Sequence, residues 1–280
     1  MRASRVLTFA RYEIRRAVAR KKVLALVALT VLIAIAPYYA LSATHTSLIT
    51  PPLRPYLWIL GVFLPQAFFL QFTALLIAAG SMSEEYEQGT AEVLLSKPVS
   101  REEYFFGKYL GGYSLVVGIV LLDVILSITS ATFVFGPQMD LGILPMILVA
   151  QVFAALVFYS FAFMVGELMR RSSLSYILSA SVFFTSEVVG VFLNLLYTLT
   201  GTDVYKVANF YLPTSPVDSL PLLLAEPRFP SSVQTVFRFA ATPVEPSVGV
   251  SALLIAVYFL SAVLIALAYF RRMDVAKRVT

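Results

Sequence analysis

The sequence predicts an all-α integral membrane protein of six transmembrane helices. It adds an N-terminal interfacial helix, a short cytoplasmic helix between spans 2 and 3, and short extracellular helices before span 6. Three observations carry this. Hydrophobic residues make up 59% of the 280 and charged residues 13%, against about 25% charged in soluble domains. Apolar runs reach the roughly 20 residues needed to cross about 30 Å of hydrocarbon. Lysine and arginine gather beside those runs rather than among polar residues, which points to membrane orientation and away from nucleic acid.

The spans are placed at Val23–Ser42, Leu57–Gly80, Tyr109–Phe135, Ile143–Val165, Leu174–Leu199 and Val250–Phe270. Six crossings return the chain to the side on which it began. Seventeen of the 21 basic residues fall in 1–22, 81–108, 167–173 and 271–280, and basic residues resist translocation. Both termini are therefore expected in the cytoplasm, with the chain multi-pass in the plasma membrane. The first span is read as retained, because its apolar run exceeds the about 7–15 residues of a secretory signal. Tyr56 and Trp58 are expected in the aromatic belt at the outer surface, and His45, the single histidine, in the same outer loop.

Residues 4–20 place Leu7, Ala10, Ile14 and Ala17 at helical spacing among Arg5, Arg11, Arg15, Arg16 and Arg20. This is a basic amphipathic helix, either lying in the cytoplasmic membrane surface or serving as a plain positive-inside anchor. Residues 200–249 hold seven of the 15 prolines, with apolar pieces at Leu220–Leu224 and Val233–Phe239. Dense proline breaks helices, so this segment is expected as short extracellular helices or re-entrant pieces. The whole of 1–280 is one transmembrane domain, with no internal repeat.

Asp123 and Glu187 lie near the middles of spans 3 and 5, without a basic residue at similar depth. Carboxylates there are costly and usually face a bundle interior or a wet cavity. They and Asn194 are candidates for lining a conduit, or for bracing helices by hydrogen bonds. Gln71 and Gln151 suit bracing.

The loop 81–108 has a designed local grammar. The second helix should run past the membrane surface and stop at Gly89, which tolerates a left-handed backbone. Thr90 can cap a short helix with Glu92 in its first turn and an apolar patch of Val93, Leu94 and Leu95, ended by Pro98. Ser100 and Glu103 form a capping box into the third span. An exposed apolar helix of this kind needs a partner's groove to cover it.

The string Glu87-Gln-Gly-Thr90, Leu94-Leu95-Ser-Lys-Pro98, Ser100-Arg101 and Gly107-Lys108 resembles the cytoplasmic signature of the ABC-2 type permeases, the membrane subunits of ATP-binding-cassette exporters. The resemblance implies that Glu87, Gly89, Thr90, Val93, Leu94, Leu95 and Pro98 form or frame a coupling helix docked in an ATPase cleft. Arg101 and Lys108 would sit where the next helix re-enters the membrane, snorkelling to headgroups. It also implies an ATP-binding-cassette ATPase partner, a second permease copy or a related permease, and no cofactor on this chain, with ATP and magnesium held by the ATPase. No phosphate-binding loop is present: Glu102 stands where the first glycine before Gly107-Lys108 would be required.

A proton-coupled secondary transporter using Asp123 and Glu187 is the alternative, but it leaves the capped cytoplasmic helix unexplained. An enzyme is not expected, since no zinc motif occurs and there is no histidine beside a membrane serine. The sequence has no cysteine, which excludes disulfides, thiolate metal sites and a cysteine nucleophile.

Overall fold

A computed structural model describes residues 3–43, 51–96, 99–231, 233–234 and 247–272. His45, Pro98 and residues 235–239 of the second apolar piece lie outside it. Among the described residues the chain is helical, with no strand. In order the helices are α1 (Ala3–Val18), α2 (Lys21–Ala43), α3 (Trp58–Pro65), α4 (Gln71–Glu87), α5 (Thr90–Leu95), α6 (Arg101–Phe135), α7 (Leu144–Met169), α8 (Ser172–Thr200), α9 (Asp203–Phe210), α10 (Thr214–Ala225) and α11 (Val248–Arg272).

Six stretches among the described residues are long and apolar enough to cross a membrane: Lys21–Ala43, Trp58–Glu87, Arg101–Phe135, Leu141–Met169, Ser172–Thr200 and Val248–Arg272. Each contains nearly all of one span expected from the sequence. The second joins α3 to α4 through a π-helical turn, Gln66–Leu70. That turn follows Pro65, whose ring removes a backbone donor and disturbs the regular ladder. α6 has 35 residues, about 52 Å at 1.5 Å per residue. It and the 30-residue second span that ends in α4 therefore outrun an about 30 Å hydrocarbon layer and project as two stems with α5 between them.

The stems end as their residues dictate. Gly89 takes φ 68° between α4 and α5, a left-handed conformation costly for residues bearing a Cβ. Ser100 Oγ accepts from the Glu103 amide at 3.2 Å, and the Ser100 amide donates to Glu103 Oε2 at 3.2 Å. That reciprocal pair starts α6 as expected.

α1 differs from its expected face. The buried residues are Val6, Ala10, Glu13 and Ala17, while Leu7 is 72% exposed. The stripe turns because α1 packs on Gly107 and Gly111 of α6. A Cβ on Gly111 would lie 2.7 Å from the Ala10 carbonyl oxygen and 2.7 Å from Glu13 Cβ, so only glycine admits the α1 backbone so closely. α4 and α7 meet in the same manner, with Gly166 against the Ala79 carbonyl.

Trp58 is also corrected: it is completely buried, so it is no lipid-facing belt residue. Its indole N–H donates to the Met139 carbonyl at 3.0 Å and its ring meets Phe229. A buried tryptophan needs such an acceptor. This packing closes the end of the bundle far from α1 and α5.

After α8 the chain doubles back. α9 runs alongside α8, bringing Asn209 and Leu212 against Gly190. Thr214, at the start of α10, then shares a 2.9 Å hydrogen bond with Ser186, 14 residues and about 21 Å along α8. The hairpin thus reaches the midpoint of the bundle, and α10 climbs away until Phe229 meets Trp58 and Tyr56.

Gly111→Ala is expected to destabilise the purified protein by about 1–3 kcal/mol through overpacking against α1, read as a lower thermal midpoint. Gly118→Ala, on the same helix with open space around it, leaves the midpoint unchanged or raises it.

Candidate functional site

Consecutive residues on a helix point about 100° apart, so four in a row face every direction around it. At the end of α4 those four are Glu84, Glu85, Tyr86 and Glu87, and each meets a different set of neighbours. Glu84 pairs with Arg20 at 2.8 Å and with Lys22 at the start of α2, and accepts from Tyr176 of α8 at 2.7 Å. Glu85 pairs with Arg16 of α1 and with Lys108 of α6, the latter at 2.7 Å, and accepts from the Tyr104 hydroxyl. Tyr86 donates to Glu167 of α7 at 2.7 Å, with the Arg170 guanidinium 5.0 Å from its ring centre. Glu87 accepts from the Ser172 amide at 2.9 Å and from its hydroxyl, holding the first residue of α8 where a carboxylate complements the helix dipole.

Lys108 was expected to reach toward headgroups. Instead it is 0% exposed and bridges Glu85 to Glu13 of α1. Glu13 also accepts from Ser81 of α4 at 3.1 Å. The reason is electrostatic: two buried carboxylates need a cation, and a buried ammonium needs them. Arg101, also expected to snorkel, donates to the backbone carbonyls of Phe270 and Arg271 at 3.2 and 3.0 Å, where a cation suits the end of α11.

The residues expected to form or frame a coupling helix fall around this ring. Thr90 is the first residue of α5 rather than its cap; Gly89 holds the cap position, and the Thr90 hydroxyl donates to the Glu85 carbonyl at 3.4 Å. Ala91 is buried, and Leu94 and Leu95 pack partly on the core. The expected patch is therefore divided, with Val93 alone turned outward at 63% exposure.

The polar candidates within the bundle are not brought together. Asp123 is fully buried and neither carboxylate oxygen has a hydrogen-bond partner among the described residues. It lies near the Tyr38 hydroxyl, which also meets Ser127. Glu187 belongs to a different place, next to Ser186, whose hydroxyl shares a hydrogen bond with Thr214 at the start of α10. Asn194 lies two turns further along α8, with Oδ1 unpartnered. Gln151 does brace, donating to the Val62 carbonyl at 2.9 Å; the Gln71 carboxamide has no such partner.

Sequence reasoning missed Glu13, Glu84, Glu85, Tyr86 and Asp218. A signal existed for Glu13, the lone acid among the eight basic residues of 1–22. For Asp218 none existed, because its neighbour Glu187 is remote in sequence.

A family model described as "ABC-2 family transporter protein" matches residues 7–275. Comparison with curated proteins gives no match.

Lys108→Met strands two buried carboxylates and is expected to cost about 3–5 kcal/mol, read as a large fall in thermal midpoint. Arg271→Met removes an exposed pair with Glu102 and should change stability by less than about 1 kcal/mol.

Proposed function

Because the chain belongs to the ABC-2 transporter family, whose members are membrane permease components of ABC transporters, we propose that it is the permease of an ATP-driven exporter powered by a separate ATPase chain. The observation that supports this most is the ring at the end of α4, two residues before α5. A six-residue helix with one outward valine, hung between two projecting stems, has the form of a helix that enters a partner's groove. Closure of an ATPase dimer would press α5, and the ring would pass that displacement to α1, α2, α6, α7 and α8 together.

In this reading Glu87, Gly89, Thr90, Val93, Leu94, Leu95, Pro98 and Arg101 form or frame the docking element. ATP and magnesium are bound by the ATPase. The lysine and arginine distribution supports a cytoplasmic position for that end and for both termini, in the plasma membrane. A second copy or related permease completes the conduit, with two ATPase subunits beneath. Asp123, Glu187 and Asn194 supply polar groups along the route, and the α9–α10 hairpin covers its outer half.

The test is co-purification followed by ATP hydrolysis in proteoliposomes. The chain should capture an ATP-binding-cassette ATPase, and Val93→Arg should weaken that association about tenfold or more without lowering the permease's thermal midpoint. Substrate movement by the permease alone along a proton gradient would instead favour the proton-coupled alternative.

A further inference from the structure

The α9–α10 hairpin gathers polar groups that the rest of the protein leaves unsatisfied. On α8, Ser186 is hydrogen-bonded to Thr214, and Gly190 faces the Asn209 carboxamide, with Oδ1 3.2 Å from where a Cβ would stand. Glu187 lies between those two contacts. On α10, Asp218 is one turn beyond Thr214, and Ser215 precedes it by three residues, on the same face. The Ser186–Thr214 hydrogen bond, one residue before Glu187 and four before Asp218, brings the two carboxylates into the same region. Among the described residues no ion pair involves either one, and Glu187 Oε1 and Asp218 Oδ1 are buried without hydrogen-bond partners.

Two further groups are independent of this acid pair. Asn209 is 2% exposed and its Nδ2 has no acceptor among the described residues. Ser215 is 6% exposed and its hydroxyl is likewise unpartnered. Beside them is an apolar wall: Phe183, one turn before Glu187, meets Phe68, Phe72, Phe158 and Phe184 at 4.9–6.0 Å between ring centres.

Each of these features selects a property of the ligand. Two acids without a basic partner among the described residues call for a cation, and an entering ammonium supplies a counter-charge that no described residue provides. The unpaired Asn209 N–H calls for an acceptor oxygen close to that cation. It would face a bare metal ion with the wrong polarity, and no group of three or more histidine, cysteine, aspartate or glutamate side chains that could hold a metal ion exists among the described residues. The phenylalanines call for an apolar body. We infer that Glu187, Asp218 and Asn209 bind the protonated amine of an amphipathic substrate that carries a hydroxyl or carbonyl oxygen next to the nitrogen. The ammonium donates to the two carboxylates, the Asn209 amide donates to the oxygen, and the body lies on the exposed rings of the wall, Phe68 and Phe184. This rests on the permease reading above and names the substrate class of its route.

The probe is propranolol, a fluorescent naphthyl amine with a hydroxyl two carbons from the nitrogen, titrated onto the purified full chain in nanodiscs. Saturable binding is expected, weakened about tenfold or more by Glu187→Gln and by Asp218→Asn and less by Asn209→Ala. Naphthyloxyacetate, with the same ring and a negative charge, should not compete. Asp203→Asn, at the first turn of α9, should leave binding unchanged. Both acid replacements keep shape and remove an unpaired buried charge, so their thermal midpoints should hold, which separates lost binding from lost folding. Undiminished binding by both acid variants, equal competition by naphthyloxyacetate, or no saturable binding would overturn the assignment. Failure to capture an ATPase with amine binding intact would sink the permease reading's motor and leave this site standing.

Discussion

Three carboxylates and a phenol on the last turn of α4 impose most of the arrangement at one end of the molecule. Glu85 is fully buried, Glu84 is partly so and Glu87 is exposed, and a carboxylate taken out of water must find a cation or several hydrogen-bond donors. A single helix cannot supply them in four directions. The partners therefore come from α1, α2, α6, α7 and α8, and satisfying the charges fixes those helices relative to α4. Lys108 extends the constraint by a second step, because its other carboxylate, Glu13, belongs to α1. Gly107 and Gly111 allow the close approach that lets Glu13 reach it.

The molecule is held differently along its length. Ion pairs and phenol–carboxylate bonds tie the end that bears α5. Trp58, Gln138 and Met139 stitch the far end with hydrogen bonds between side chains and backbone. Between them lie groups without hydrogen-bond partners among the described residues: the Gln66 and Gln71 carboxamides, the Asp123 carboxylate and one oxygen of Glu187. Gln66 begins the π turn of the second span and Gln71 directly follows it, where the helical ladder is already altered and a change of shape costs least. An end tied by ion pairs, a middle with an altered helical ladder and unsatisfied polar groups in that middle suit a permease that changes shape around a cargo.

The parts legible in the sequence were those written locally. Six apolar runs gave the spans, because a run of sufficient length needs no information about its neighbours. Gly89, Ser100 and Glu103 announced the helix ends around α5, because caps involve residues three or four apart. What stayed hidden depends on distant contacts. The face of α1 turned by one position because Glu13 answers Lys108, 95 residues away, a preference that periodicity cannot register. Trp58 looked like a belt residue until Met139 supplied its acceptor. Glu187 was visible as a membrane acid, but Asp218 gains its meaning only once α10 folds back to the middle of α8.

The central claim is that α5 and the ring behind it move as one body, so that force applied to α5 carries α1 with it. The sequence has no cysteine, so spin labels can be placed singly at Leu7→Cys on α1 and Ser96→Cys beside α5, both exposed positions. Their separation should be measured in the assembled complex with and without bound ATP. The account predicts the same Leu7–Ser96 distance in both states, and a distance that changes once Glu85→Gln and Lys108→Met release the ring. A distance that shifts on ATP binding in the unaltered chain as much as in the released one would contradict it.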